Sequence, residues 1–124
     1  MPLNPALTYR DPRAALDFLQ AAFGFEPVRV HEGDDGSVVH AELRFGDGLV
    51  MLGTARDSGL MAGLGPGAVY VSVQDPDAHH ARAVRGAGAD IVLPPTDQDY
   101  GSREYAARDP EGNLWSFGTY VATA

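Results

Sequence analysis

The chain repeats itself once. Asp11-Pro12 recurs as Asp75-Pro76, Gly24 as Gly88 and Gly48 as Gly112, each pair 64 residues apart. The 124 residues fall just short of two such units. That makes the pattern a duplication, not a solenoid, which needs three or more repeats. Half a chain of this length is too short to bury a sufficient core alone. Residues 1–124 therefore read as a single domain of two modules, about 1–54 and 68–120, joined by a Gly-rich linker over 55–67.

The repeated residues punctuate the same local order in each half. Leu3–Tyr9 reads as a strand. Asp11 is suited to cap a helix whose first residue is Pro12, and Ala14, Ala15, Phe18, Leu19, Ala22 and Phe23 recur at helical spacing until Gly24 stops it. Strands are expected over Glu26–Glu32, Val38–Phe45 and, past the turn Gly46-Asp47-Gly48, Leu49–Thr54. The second half repeats this as a strand over Val69–Val73 and a helix from Asp75-Pro76 to about Ala87. Strands Ala89–Leu93, Ser102–Arg108 and Leu114–Tyr120 follow, the last entered through Asp109-Pro110-Glu111-Gly112-Asn113. The fold class is α+β, with tandem βαβββ modules, their helices outside and a concave groove.

Composition removes several function classes. There is no cysteine, hence no disulfide, thiolate nucleophile or Cys-ligated metal. The formal charge of −8 is the wrong sign for nucleic acid and favours cations. No stretch approaches the apolar length of a membrane helix, and the N-terminus does not read as a signal peptide. A cytoplasmic location is the expectation.

Two segments carry a family resemblance: Tyr9-Arg10-Asp11-Pro12-Arg13-Ala14-Ala15-Leu16-Asp17-Phe18-Leu19 with Phe23-Gly24-Phe25-Glu26, and Arg108-Asp109-Pro110-Glu111-Gly112-Asn113-Leu114-Trp115-Ser116-Phe117. They resemble the vicinal-oxygen-chelate (glyoxalase/bleomycin-resistance/dioxygenase) superfamily. The run His40-Ala41-Glu42-Leu43-Arg44-Phe45-Gly46-Asp47 is similar to its PhnB-like branch. The resemblance implies a cup-shaped half-barrel and a homodimer. It also implies that metal-dependent relatives place His, Glu or Gln at four positions, which here fall on Asn4, Met51, Ala68 and Ser116. None of these four is an imidazole or carboxylate, and Ala68 offers no donor. The expectation is no metal and no cofactor. Of the histidines, His31 reads as exposed, and His79 and His80, about 100° apart on one helix, as a solvated face.

Strand alternation assigns the groove. Val39, Ala41, Leu43 and Phe45 should face the helices, as should Trp115 and Phe117. That leaves Asn4, Thr8, His40, Glu42 and Met51 from the first module, and Tyr70, Glu104, Arg108 and Ser116 from the second, lining the cup. Tyr100 and Arg103, flanking Gly101, are placed to cover it, and Leu60, Met61 and Leu64 of the linker form a second candidate lid. His40 and Glu104 are the candidate catalytic pair, a histidine near a carboxylate being a general base near neutral pH. The favoured function is non-metal binding of a small organic ligand, of the bleomycin-resistance type; the acidic charge favours a cationic compound. The alternative is a glyoxalase- or dioxygenase-like enzyme with a degenerate or metal-free acid–base site.

Overall fold

The computed structural model describes residues 3–60 and 62–123. The first module comprises β1 (Ala6–Tyr9), α1 (Pro12–Phe23), β2 (Glu26–Glu32), β3 (Val38–Phe45) and β4 (Gly48–Thr54). The second comprises β5 (Ala68–Ser72), α2 (Pro76–Ala87), β6 (Asp90–Asp97), β7 (Arg103–Arg108) and β8 (Leu114–Gly118). Each module contributes an open four-stranded mixed sheet, ordered β1-β4-β3-β2 and β5-β8-β7-β6. Both helices begin on the repeated dipeptide. The Asp11 side chain accepts from the Ala14 N–H at 3.1 Å and Asp75 from the Ala78 N–H at 3.1 Å, while Pro12 and Pro76 open the first turns. Gly24 and Gly88 end them in the left-handed conformation.

The 64-residue offset holds through both helices and slips by one residue afterwards. Glu42 lies opposite Met51, and Ala106, its repeat, lies opposite Ser116, 65 residues beyond Met51. The extra residue sits in the last hairpin. The β3–β4 loop is Gly46-Asp47, with a positive φ at Gly46, as a two-residue loop with Gly first requires. The β7–β8 loop is Pro110-Glu111-Gly112, closed by the Asp109 N–H donating to the Asn113 carbonyl, with Gly112 at φ 92°. Gly48 and Gly112 therefore occupy matching hairpins but not matching positions.

The helix-bearing sides of the two sheets pack on each other. α1 lies against α2, and Phe23 of α1 meets Phe117 at 4.7 Å and Trp115 at 5.8 Å between ring centroids. Phe25 packs edge-on against Trp115. Leu16, Leu19, Leu43, Leu52 and Tyr105 join the same buried cluster, each large side chain contributing roughly 1.5–3 kcal/mol through its removal from water. Trp115 and Phe117 lie under the helices as alternation predicts. Val39 does not. A bulge pairs Glu32 with Val38 and His31 with His40, so Val38 is buried and Val39 turns 42% exposed.

His79 also departs from its expected solvated position. It is half-buried among Phe23, Phe45 and Phe117. Its Nε2 lies 2.8 Å from the Phe23 carbonyl, which can only accept, so Nε2 carries the proton and Nδ1 accepts from the Tyr105 hydroxyl. His79 thereby satisfies a carbonyl at the end of α1 from α2. Burial depresses its pKa, reinforced by the nearby Arg82 charge and opposed by the Phe23 carbonyl.

The Asp-Pro-Glu-Gly-Asn turn locks the modules together. Asp109, 5% exposed, accepts from the Tyr9 hydroxyl at 2.6 Å, the Trp115 indole N–H at 3.1 Å and the backbone N–H groups of Glu111 and Asn113. Burial and the adjacent Asp109 carboxylate push the Tyr9 hydroxyl well above its ordinary range, keeping it a donor. The Glu111 carboxylate takes the Arg10 and Asp11 N–H groups at 2.7 and 2.9 Å, where α1 begins.

Asp109→Ala strands the Tyr9 and Trp115 donors, and urea unfolding is expected to show a loss of about 3 kcal/mol with an unchanged m-value. A histidine depressed by folding contributes stability above its unfolded pKa of about 6.5 that is lost as pH falls. Lowering the pH from about 7.5 to about 5.5 should therefore lower the wild-type urea midpoint more than that of His79→Gln, whose amide keeps one donor and one acceptor without titrating.

Candidate functional site

The sheet faces turned away from the shared core carry the polar side chains. On the first, His40 and Glu42 project from the same side of β3, and the His40 Nε2 lies 3.0 Å from Glu42. Arg29 on β2 donates to the other Glu42 oxygen at 2.8 Å. The His40 bond first, then Arg29, holds the Glu42 carboxyl below its usual range. A cavity of about 280 Å³ opens beside them, lined by Thr8, Val39, His40, Met51, Gly53 and Arg56 among others.

On the second face the arrangement centres on Glu104. It accepts from Tyr70 at 2.8 Å, Tyr100 at 2.6 Å and Ser102 at 3.0 Å. Burial pushes the Glu104 carboxyl up, but the three donated bonds outweigh it and the pKa lies below the ordinary value. The bond to Glu104 drives the Tyr100 hydroxyl the other way, up to about 12. The segment after β8 folds over the same place. The Tyr120 N–H donates to the Tyr70 and Ser102 hydroxyls, and its carbonyl accepts from Ser72. A cavity of about 650 Å³ is lined by Tyr70, Ser72, Tyr100, Glu104, Tyr120 and Ala122. Gly118 makes the arrangement possible, since a Cβ there would stand 2.3 Å from the Tyr70 hydroxyl and 2.5 Å from Glu104 Cγ.

His40 and Glu104 hold equivalent places in the two modules, opposite Gly53 and Gly118 respectively. The single chain does not pair them. Each is committed to partners of its own module, and neither cavity includes a residue of the other module. The polar residues expected to share the cup thus fall into two groups, one on each sheet, or wall, of the open fold. Ser116 stands half-buried on the second wall, in register with Tyr70 and Ala106. Arg108 is exposed at the end of β7 and donates to the Gly112 carbonyl. Asn4 is exposed ahead of β1, and Ala6 occupies the place beside Met51.

Arg103 lies elsewhere. Its guanidinium forks onto Asp77 of α2 at 2.9 and 3.0 Å and reaches Asp97 at 3.2 Å, so it straps the helix to the sheet and does not cover the cup. In the linker, Leu60 stands 96% exposed, Leu64 borders a cavity with Thr8, Arg10 and Glu111, and Met61 falls outside the described residues. Sequence reasoning missed Tyr120, Ser102 and Gly118. Tyr120 reaches the site through a bend after Gly118 that alternation along a straight strand does not encode.

The model of the glyoxalase/bleomycin resistance protein/dioxygenase superfamily matches residues 3–117. The chain belongs to this superfamily. Among solved structures of the superfamily's fold, TioX from Micromonospora sp. ML1 is 35% identical, with 98% of this chain and 99% of that one covered and a TM-score of 0.85. The bleomycin-binding protein of the bleomycin-producing Streptomyces verticillus, solved with copper(II)-bleomycin, is 28% identical over 94% and 93%, with a TM-score of 0.66. A lactoylglutathione lyase from Agrobacterium tumefaciens shares the fold at 21% identity, 95% and 92% coverage and a TM-score of 0.73. No curated protein matches the chain.

The superfamily's metal does not fit the residues present. Asn4, Met51, Ala68 and Ser116 supply two weak neutral oxygens, a thioether and nothing. They are also divided between the two walls, and among the described residues no group of three or more His, Asp or Glu is arranged to hold an ion. Calorimetric titration with nickel(II), zinc(II), manganese(II) or iron(II) is expected to show no tight one-to-one binding. A single site with sub-micromolar affinity would refute the assignment.

Proposed function

We propose that this protein is a non-metal small-molecule-binding protein of the bleomycin-resistance type that works as a homodimer. In this reading the first wall of one protomer faces the second wall of its partner, and an organic ligand lies between them. The observation that carries it is the division of the site. One chain builds two complementary half-sites, one with Arg29, His40, Glu42 and Arg56, the other with tyrosines around a carboxylate. It leaves both open, with Val39 42% exposed at the first and Tyr70 and Tyr100 41% and 63% exposed at the second. A two-fold related copy brings each half opposite the other, as a closed symmetric dimer does. The likeness to a bleomycin-binding protein supports a bulky organic ligand, and the −8 charge supports a cationic one.

The same proposal treats residues 1–124 as one domain of modules 1–54 and 68–120, within a PhnB-like branch on the strength of the His40–Asp47 run. It places the protein in the cytosol, a compartment that a cysteine-free chain suits. Among the described residues no helix is long and apolar enough to cross a membrane.

Sedimentation at tens of micromolar is expected to give a dimer. Metal-free bleomycin and other cationic natural products should raise the melting temperature in a concentration-dependent way, a ligand at about a hundred times its Kd adding about 2.7 kcal/mol. A monomer that no compound of such a panel stabilises would overturn the proposal.

A further inference from the structure

Glu104 is 8% exposed, faces a cavity and is held ionised by three neutral donors. Among the described residues no arginine or histidine forms an ion pair with it. Its counterpart on the other wall, Glu42, is by contrast paired with Arg29 and His40. A carboxylate withdrawn from water without a counter-charge is costly to hold, and a cation entering the cavity offsets that cost.

Three aromatic rings surround the place such a cation would take. Tyr120 stands nearly perpendicular to Tyr70, at 83° and 6.3 Å between centroids, and to Tyr100, at 85° and 6.0 Å. Ring faces carry the negative lobe of the quadrupole and attract cations within about 6 Å. The hydroxyls of Tyr70 and Tyr100 are spent on Glu104, so these rings offer an incoming group their π-faces rather than donors. The rings are 41%, 63% and 50% exposed for Tyr70, Tyr100 and Tyr120, and thus reachable.

Hydrogen-bond capacity narrows the cation. A carboxylate has about four acceptor positions, and three of those on Glu104 are taken. A primary ammonium brings three N–H donors and a guanidinium five, most of which find no partner here. A tertiary ammonium brings one, matching the position left, and a quaternary ammonium brings none. We propose that Tyr70, Tyr100, Tyr120 and Glu104 form an aromatic cage for an alkylated ammonium group, tertiary or quaternary. This rests on the ligand-binding reading above and assigns the second wall its chemistry.

The test titrates the full-length protein, followed by NMR, with choline, N,N-dimethylethanolamine, ethanolamine and the neutral isostere of choline, 3,3-dimethyl-1-butanol. The first two should bind, with their methyl protons shifted upfield by the rings, and the last two about tenfold more weakly or not at all. Glu104→Gln should abolish the preference for choline over the isostere. Tyr120→Leu, on a segment outside the strands, should lower choline affinity about tenfold and guards against misfolding of the Glu104 variant. Equal binding of choline and its isostere, or no choline binding, overturns the cage. If choline fails while larger organic compounds still stabilise the protein, the cage is wrong and the ligand-binding reading stands. If choline binds with the expected selectivity to a monomer that no larger compound stabilises, the cage stands and the shared dimeric cup falls.

Discussion

The carboxylate of Asp109 is the point on which the two modules depend. Four different requirements meet on its two oxygens: the tight β7–β8 loop, the buried indole of Trp115, the Asn113 amide and the hydroxyl of Tyr9 from the other half of the chain. Each donor is buried or nearly so, and the carboxylate replaces the water that all of them lose. The Asp109–Asn113 turn is thus a clamp between the modules. Through Glu111 it also holds the chain at the start of α1.

That packing has a consequence for the two sheets. The clamp and the aromatic cluster of Phe23, Phe25, Trp115 and Phe117 draw the helix-bearing sides together, so the buried core lies in a layer between them. His79 completes that layer by bridging α1 and the second sheet through both ring nitrogens. Among the described residues, only the segment after β8 lies over one of the opposite faces. Polar and aromatic side chains there face open cavities, and a binding surface results from the way the core is spent.

Much of this was legible in the residues. The repeated Asp-Pro and Gly marks located both helices, because capping chemistry is local. Alternation put Trp115 and Phe117 inward and His40, Glu42 and Glu104 on the other side, because the β period is a local property too. The readings that failed depend on more than one element. Val39 was misplaced by a bulge that exists only once β2 and β3 pair. The helical position of His79 says nothing about the sheet on which α2 lands. Arg103 shares its strand face with Tyr105, and whether it meets a ligand or Asp77 is decided by the approach of α2. The separation of His40 from Glu104 follows from the orientation of whole modules, which no short-range pattern encodes.

The duplication supplied two walls of the same shape, and substitution has made them chemically unlike. At one register position the first module carries His40, drawn into an Arg29–Glu42 chain, and the second carries Glu104 among tyrosines. A site built from two identical walls would meet itself across a two-fold axis, setting like charges against each other. In the proposed dimer, unlike walls would set a charged and hydrogen-bonding surface opposite an aromatic, anionic one, an arrangement suited to a ligand with chemically distinct ends. Met51 and Ser116 stand at matching places on the two walls, opposite Glu42 and Ala106, and neither is a strong ligand for a hard divalent ion.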